Sequence, residues 1–159
     1  MIYTTLDSDE KIIAQCKRWE NGPSLAVDFE GEYNLHIYGE HLCLIQIYDT
    51  EGFYIIDPRS GRVSKKGLEA FFSLTNEKIW FDIQGDAALI YKKNQQANWL
   101  KRPIDMDLME YALLDVKYLH QLKDVLSSII AKEGLGKTME EAMERVMVVK
   151  EPTPGWKNI

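Results

Sequence analysis

Cysteine, histidine and long apolar runs are all scarce in this chain, and each scarcity excludes something. Its 159 residues hold only two cysteines, Cys16 and Cys43, which rules out a disulfide scaffold and a cysteine-rich zinc module. They stand alone in helix-like and strand-like surroundings, so both are expected as reduced, buried thiols. The three histidines, His36, His41 and His120, share no metal-ligand spacing with one another or with the cysteines; surface or capping roles are expected for them. No apolar stretch approaches the ~20 residues that span a bilayer, and the N-terminus lacks the basic-then-apolar order of a signal peptide. No membrane partner is expected, and the expected home is the cytoplasm. Basic charge is also short: 19 Lys and Arg against 25 Asp and Glu leave a net charge of −6. Affinity built on phosphate neutralisation calls for a basic protein. A polyanion is therefore not the default partner unless bound cations reverse the local sign. Internal repeats and low-complexity stretches are absent. What remains, 45% hydrophobic and 28% charged residues, is the mixture of one soluble globular domain with a single core.

The patterning predicts a mixed α/β or α+β domain. Asp7 followed by Glu10 reads as a capping box for a helix to about Trp19, with Ile12, Ile13, Cys16 and Trp19 as its apolar stripe. Asn21-Gly22-Pro23 ends it. Strands are predicted at about 25–30, 42–48 and 53–57, joined tightly enough to be antiparallel neighbours. A short helix over 67–74 precedes a buried strand, "KIWFDI" (78–83), and a helix from Asp86 to about Lys92. "MDLMEYALLDVKYLHQLKDVLSSIIAKEG" reads as one long helix closed by Gly134, and Thr138 with Glu141 as a capping box for another to about Val149. Residues 1–150 are expected to form the domain and 151–159, with Pro152 and Pro154, a tail or linker. Gly-Lys-Thr at 136–138 has the tail of a phosphate-binding loop, but it follows a helix where that loop needs a strand; a helix end and a fresh start explain it better.

Acids stand in three places where burial is expected. Asp28 and Glu30 lie two apart on an otherwise apolar strand, so both project from one face. Asp86 follows "KIWFDI" at a helix N-terminus. Asp115 lies one helical turn after Tyr111, on a face that also carries Leu108, Leu119 and Leu122 and is expected to turn towards the protein. An acid on a buried face is costly unless paired or metal-bound, and no Lys or Arg is spaced to pair with each of these. Taken singly, each has a commonplace explanation: a wet sheet face, a helix-dipole partner, a slightly rotated helix. Jointly, unpartnered carboxylates repel one another, and hard divalent cations relieve that repulsion.

These residues carry a family resemblance. Asp28-x-Glu30 with "HLCLIQIYD" resembles the first motif of the DEDD 3′–5′ exonucleases, most closely the ribonuclease D branch. "FDIQGDAALI" resembles the second, with Asp86 as its acid, and "YALLDVKYL" the third, Tyr-x-x-x-Asp, with Tyr111 and Asp115. The tyrosine marks the tyrosine subclass; the histidine subclass would need His where Glu110 stands. "NWLKRP" also matches a run common in ribonuclease D-like proteins. The resemblance covers about residues 5–130 and implies a ribonuclease H-like fold, a mixed sheet flanked by helices. It implies two divalent cations, Mg²⁺ or Mn²⁺, with Asp28 bridging both, Glu30, Asp86 and Asp115 completing their shells, and Tyr111 holding the attacking water. It departs from the family at its centre: Asp86 and Tyr111 are 25 positions apart (111 − 86), where ribonuclease D-like proteins interpose several tens of mostly helical residues. Part of the central helical region is therefore expected to be missing.

The function expected is metal-dependent 3′–5′ hydrolysis of RNA or other single-stranded nucleic acid from its 3′ end. The competing reading is a catalytically silent exonuclease-like adaptor that binds RNA or protein; retention of every acid favours the enzyme, the shortened centre the adaptor. A third is an ordinary α/β domain with surface acids. Lys65-Lys66, Lys92-Lys93 and Lys101-Arg102 are candidate backbone contacts, and Tyr33, His36 and Tyr38 candidate stacking groups for a terminal base.

Overall fold

Leu25, Val27 and Phe29 alternate with Ala26, Asp28 and Glu30, and this period-2 pattern forms the central strand pair of a five-stranded mixed sheet. A computed structural model describes residues 1–32, 41–81, 83 and 106–146, side chains of residues 32, 41 and 106–111 apart. The strands are β1 (Tyr3–Leu6), β2 (Leu25–Glu32), β3 (His41–Tyr48), β4 (Phe53–Ile56) and β5 (Lys78–Ile79). The sheet order is β1-β4-β3-β2-β5. The β2–β3 and β3–β4 pairs are antiparallel, as their short connections predict. The β1–β4 and β2–β5 pairs are parallel. The helices are α1 (Asp9–Trp19), α2 (Lys65–Phe72), α3 (Met106–Lys117), α4 (Leu119–Lys132) and α5 (Gly136–Val146). None of the described helices is long and apolar enough to cross a membrane.

One face of the sheet supports α1 and α2. Leu25, Val27, Phe29, Ile45, Ile47 and Ile56 pack there against Ile12, Trp19 and Phe71 in the main core. Gly67 permits the close approach of the two helices, since a Cβ at that position would lie 2.4 Å from Asp9 Oδ1 and 3.2 Å from Ile12. Asp9 also accepts from the backbone N–H of Ser64, the N-cap of α2, at 2.8 Å. The opposite face supports α3 through Ala112, Leu113 and Val116, all fully buried.

Several predicted boundaries move, each for a local reason. The N-cap of α1 is Ser8, which accepts from Lys11 N–H at 3.4 Å, whereas Asp7 turns to Lys11 Nζ at 2.8 Å and to Arg62. Strand β1 was not expected; "YTTL" buries only Leu6 and joins as a parallel edge strand, so no apolar alternation announces it. "KIWFDI" contributes only Lys78 and Ile79 to the ladder. Trp80 leaves it to pack edge-on against Phe29, with ring centroids 6.1 Å apart. The single long helix is two, divided at Tyr118 (φ −103°, ψ −1°). Gly134, at φ +66°, closes α4 as expected, with Leu135 N–H donating to Ile130 C=O and Gly134 N–H to Ala131 C=O in a Schellman arrangement. Helix α5 starts at Gly136, so Thr138 lies inside it and caps nothing. Cys16 is buried, and burial pushes its thiol up to about 11; Cys43 is only half-buried, contrary to expectation. The predicted helix at 86–92 and the tail at 151–159 lie outside the described residues.

The turn between β3 and β4 is tied to the core by one buried acid. Asp49 accepts from Trp19 Nε1–H at 2.8 Å, and its other oxygen accepts from the N–H groups of Glu51 and Gly52 at 3.1 and 2.8 Å. Replacing it by alanine strands the indole N–H beneath α1. Asp49→Ala should therefore lower stability by about 2–3 kcal/mol, the scale of charge-assisted hydrogen bonds lost from a buried site. Urea unfolding measures this, and a loss below about 0.5 kcal/mol would contradict the assignment.

Candidate active site

Asp28 lies in the middle of β2, directly across the ladder from Gln46 on β3, and Glu30 lies across from Leu44. The register shifts between Glu30 and Gly31, immediately beyond the second acid; such irregularities re-aim a strand at its functional end. Both acids are half-buried. They share their face with Ala26, Gln46, Leu44 and Ile55, the face that α3 covers. Val116 and Leu119 pack on Ala26, while Leu113 packs between Leu44 and Ile55. With those residues directed inward, Asp115 comes to the rim of the same face. One carboxylate oxygen from each of Asp28, Glu30 and Asp115 lies within 4.8 Å of the others.

The electrostatics follow from this geometry. Burial and the charge of Asp115 push the Asp28 carboxyl up to about 6. Glu30 is raised by burial and by the charges of Asp28 and Asp115. Asp115, although exposed at the rim, is raised by loss of part of its hydration. Among the described residues no lysine or arginine forms an ion pair with any of the three. An oxygen-only donor set with uncompensated negative charge suits a hard divalent cation such as Mg²⁺ or Mn²⁺.

Three of the predicted acids are thus brought together. Asp86 lies outside the described residues. Tyr111 belongs to α3, one turn before Asp115, and its side chain is likewise outside the description. The face of α3 and α4 turned towards the sheet differs in part from the expected one. Leu119 is buried, but Leu122 is 41% exposed, and Ala112, Leu113 and Val116 do the packing. His120 is half-buried. Its ring nitrogens lie 3.2 Å from Tyr48 C=O and 3.4 Å from Ser24 Oγ, tying α4 to the ends of β2 and β3. Of the candidate substrate contacts, Lys65 pairs with Glu69 at 3.4 Å; Tyr33, His36, Tyr38, Lys92, Lys93, Lys101 and Arg102 lie outside the described residues. Gln46 is a further polar residue on this face. Its signal was a lone polar side chain inside the apolar run "LCLIQIY". It is 0% exposed, and neither its amide nitrogen nor its oxygen is hydrogen-bonded among the described residues.

The raised acids set a pH dependence. Because the folded-state pKa values stand above the unfolded ones of about 4, the native protein holds more protons than the unfolded chain between about pH 4 and pH 7. Stability of the metal-free protein therefore falls as pH rises through about 6. Asp28→Asn removes this contribution. The metal-free variant should melt above the wild type at pH 7.5 and show no such gain at pH 4. A variant melting lower at pH 7.5 would mean that Asp28 makes a structural bond.

Comparison with known proteins places this constellation. The profile of the 3′–5′ exonuclease family matches residues 3–94, which holds β1 to β5 with Asp28 and Glu30. A ribonuclease D of Sphingobium indicum is 25% identical over 185 aligned positions, covering 89% of this chain and 47% of the relative. As 89% of 159 residues is about 142, about 43 of those 185 positions have no counterpart here. Among solved structures, ribonuclease D of Escherichia coli, an exoribonuclease involved in structured RNA processing, superposes with a TM-score of 0.67 at 21% identity, covering 96% of this chain and 52% of that one. Brucella melitensis NrnC with bound Mg²⁺ superposes at 0.51 and 17% identity, covering 91% and 87%. The chain spans about half the length of the ribonuclease D proteins it matches. The matched profile spans more than half of the chain, which therefore belongs to the 3′–5′ exonuclease family, and its fold resembles that of ribonuclease D.

Proposed function

We propose that residues 1–150 form a metal-dependent 3′–5′ exonuclease domain that hydrolyses phosphodiester bonds at the 3′ end of RNA or single-stranded nucleic acid, with 151–159 as a tail or linker. The observation that carries this reading is the convergence of Asp28, Glu30 and Asp115 within 4.8 Å without a cationic partner among the described residues. A protein of similar fold holding Mg²⁺ supports the choice of ion, and similar proteins named as ribonucleases support the choice of substrate. Two such ions, when bound, generate a nucleophile from water at neutral pH and offset the charge that builds on the phosphate. Asp28, Glu30, Asp115 and, by the resemblance, Asp86 would hold the ions. Tyr111 orients the attacking water through its hydroxyl. The cations also answer the net charge of −6, because they supply the positive potential that a polyanion needs.

The adaptor reading is less well supported. A domain that only binds gains nothing from three converging acids, two of which are raised by burial and by the charge of their neighbours.

Three measurements test the proposal. The protein should shorten a 5′-labelled single-stranded RNA stepwise from its 3′ end in Mn²⁺ and stop when chelator is added; undiminished cleavage in chelator contradicts it. Mn²⁺ should raise the melting temperature of the wild type by mass action and leave that of the Asp28→Asn, Asp115→Asn double variant unmoved. Tyr111→Phe should lower kcat by about 10²–10⁴ while Mn²⁺ affinity stays within about twofold, and wild-type turnover would make Tyr111 a packing residue.

A further inference from the structure

Gln46 occupies the centre of β3, which is paired on both sides, so its backbone is committed to the ladders with β2 and β4. Its side chain enters the apolar layer between the sheet and α3. Of its neighbours on that face, Ala26, Leu44, Ile55 and Leu113 offer no hydrogen-bond partner. The acids do: Asp28 is directly opposite across the ladder, and Glu30 is the diagonal neighbour. Side chains directly opposite in an antiparallel pair have Cβ atoms about 4.5–5.5 Å apart, a gap that the long glutamine side chain spans by a change of rotamer. A wholly buried amide bonded to nothing is costly, and an aliphatic residue would fill this position at lower cost. Retention of an amide donor beside the central acid therefore calls for a role in which the amide is bonded.

We propose that Gln46 is a positioning residue, whose side-chain N–H donates to the Asp28 carboxylate and holds it in the orientation that binds the divalent cation. The proposal rests on the metal-binding reading given above. A carboxylate has four lone-pair sites, so Asp28 can accept from Gln46 and still ligate. With the cation bound, that hydrogen bond fixes the rotor of its ligand. Partners that orient metal ligands typically change metal affinity 10–100-fold.

The test is Mn²⁺ titration, followed by electron paramagnetic resonance, of Gln46→Met and Gln46→Leu, with Ile55→Val as a control buried on the same face. Both Gln46 variants should bind Mn²⁺ about 10–100-fold more weakly. Their metal-free forms should melt at or above the wild-type temperature, since an unbonded amide leaves the core. Ile55→Val should melt lower and bind Mn²⁺ normally. Wild-type affinity in both Gln46 variants would overturn the role of Gln46 and leave the metal site standing. Variants that melt well below the wild type, or fail to fold, would make Gln46 a structural residue and overturn it as well. A wild-type protein that binds no Mn²⁺ would overturn the metal reading and this proposal together.

Discussion

Mutual repulsion among three carboxylates is the constraint around which this domain is arranged. At an effective dielectric of about 20, two unit charges about 5 Å apart repel by about 3 kcal/mol, and by less where one is solvated. The fold nevertheless holds Asp28, Glu30 and Asp115 within that range. The pleat of β2 forces the first two onto one face. Burial of Ala112, Leu113 and Val116 fixes the roll of α3 and brings the third to the rim. None of the three can relieve the others without breaking a ladder or uncovering that apolar seam.

The rest of the domain makes the arrangement tolerable. Leu25, Val27 and Phe29 leave β2 on the opposite face and enter the main core with α1 and α2, so the strand that carries the acids is anchored through its other face. His120 anchors α4 to Tyr48 and Ser24, setting where α3 ends. After Ile79 the ladder between β2 and β5 stops, so along the edge of β2 beside Asp28 and Glu30 no ladder partner follows among the described residues. Rigid support on one face is what a site needs if it is to hold ions in a fixed geometry. A divalent cation would turn the repulsion among the acids into attraction, so the feature that weakens the metal-free protein is the one to which the proposed function assigns metal binding.

Much of this was legible in the sequence because the signals were strictly periodic. Alternation along 25–30 identified both the core strand and the shared face of Asp28 and Glu30, and the four-residue spacing from Tyr111 to Asp115 placed both on one helical face. Other features were hidden for identifiable reasons. Strand β1 buries one side chain in four and so carries no alternation. The break at Tyr118 has neither glycine nor proline; it comes from tertiary contacts of Leu119 and His120 with the sheet. "KIWFDI" reads as a full strand by composition, yet Trp80 finds a better partner in the Phe29 ring than in the ladder. Gln46 stood in plain view, but its meaning depends on register, which puts it opposite Asp28, and register is a property of the folded sheet.

The most direct test of the central claim is an anomalous difference map from a crystal soaked in Mn²⁺. Ions ligated by carboxylate oxygens of Asp28, Glu30 and Asp115 are predicted, with peaks about 3.5–4 Å apart if both positions fill. Peaks confined to other acidic surfaces, with these three carboxylates left unligated, would contradict the account.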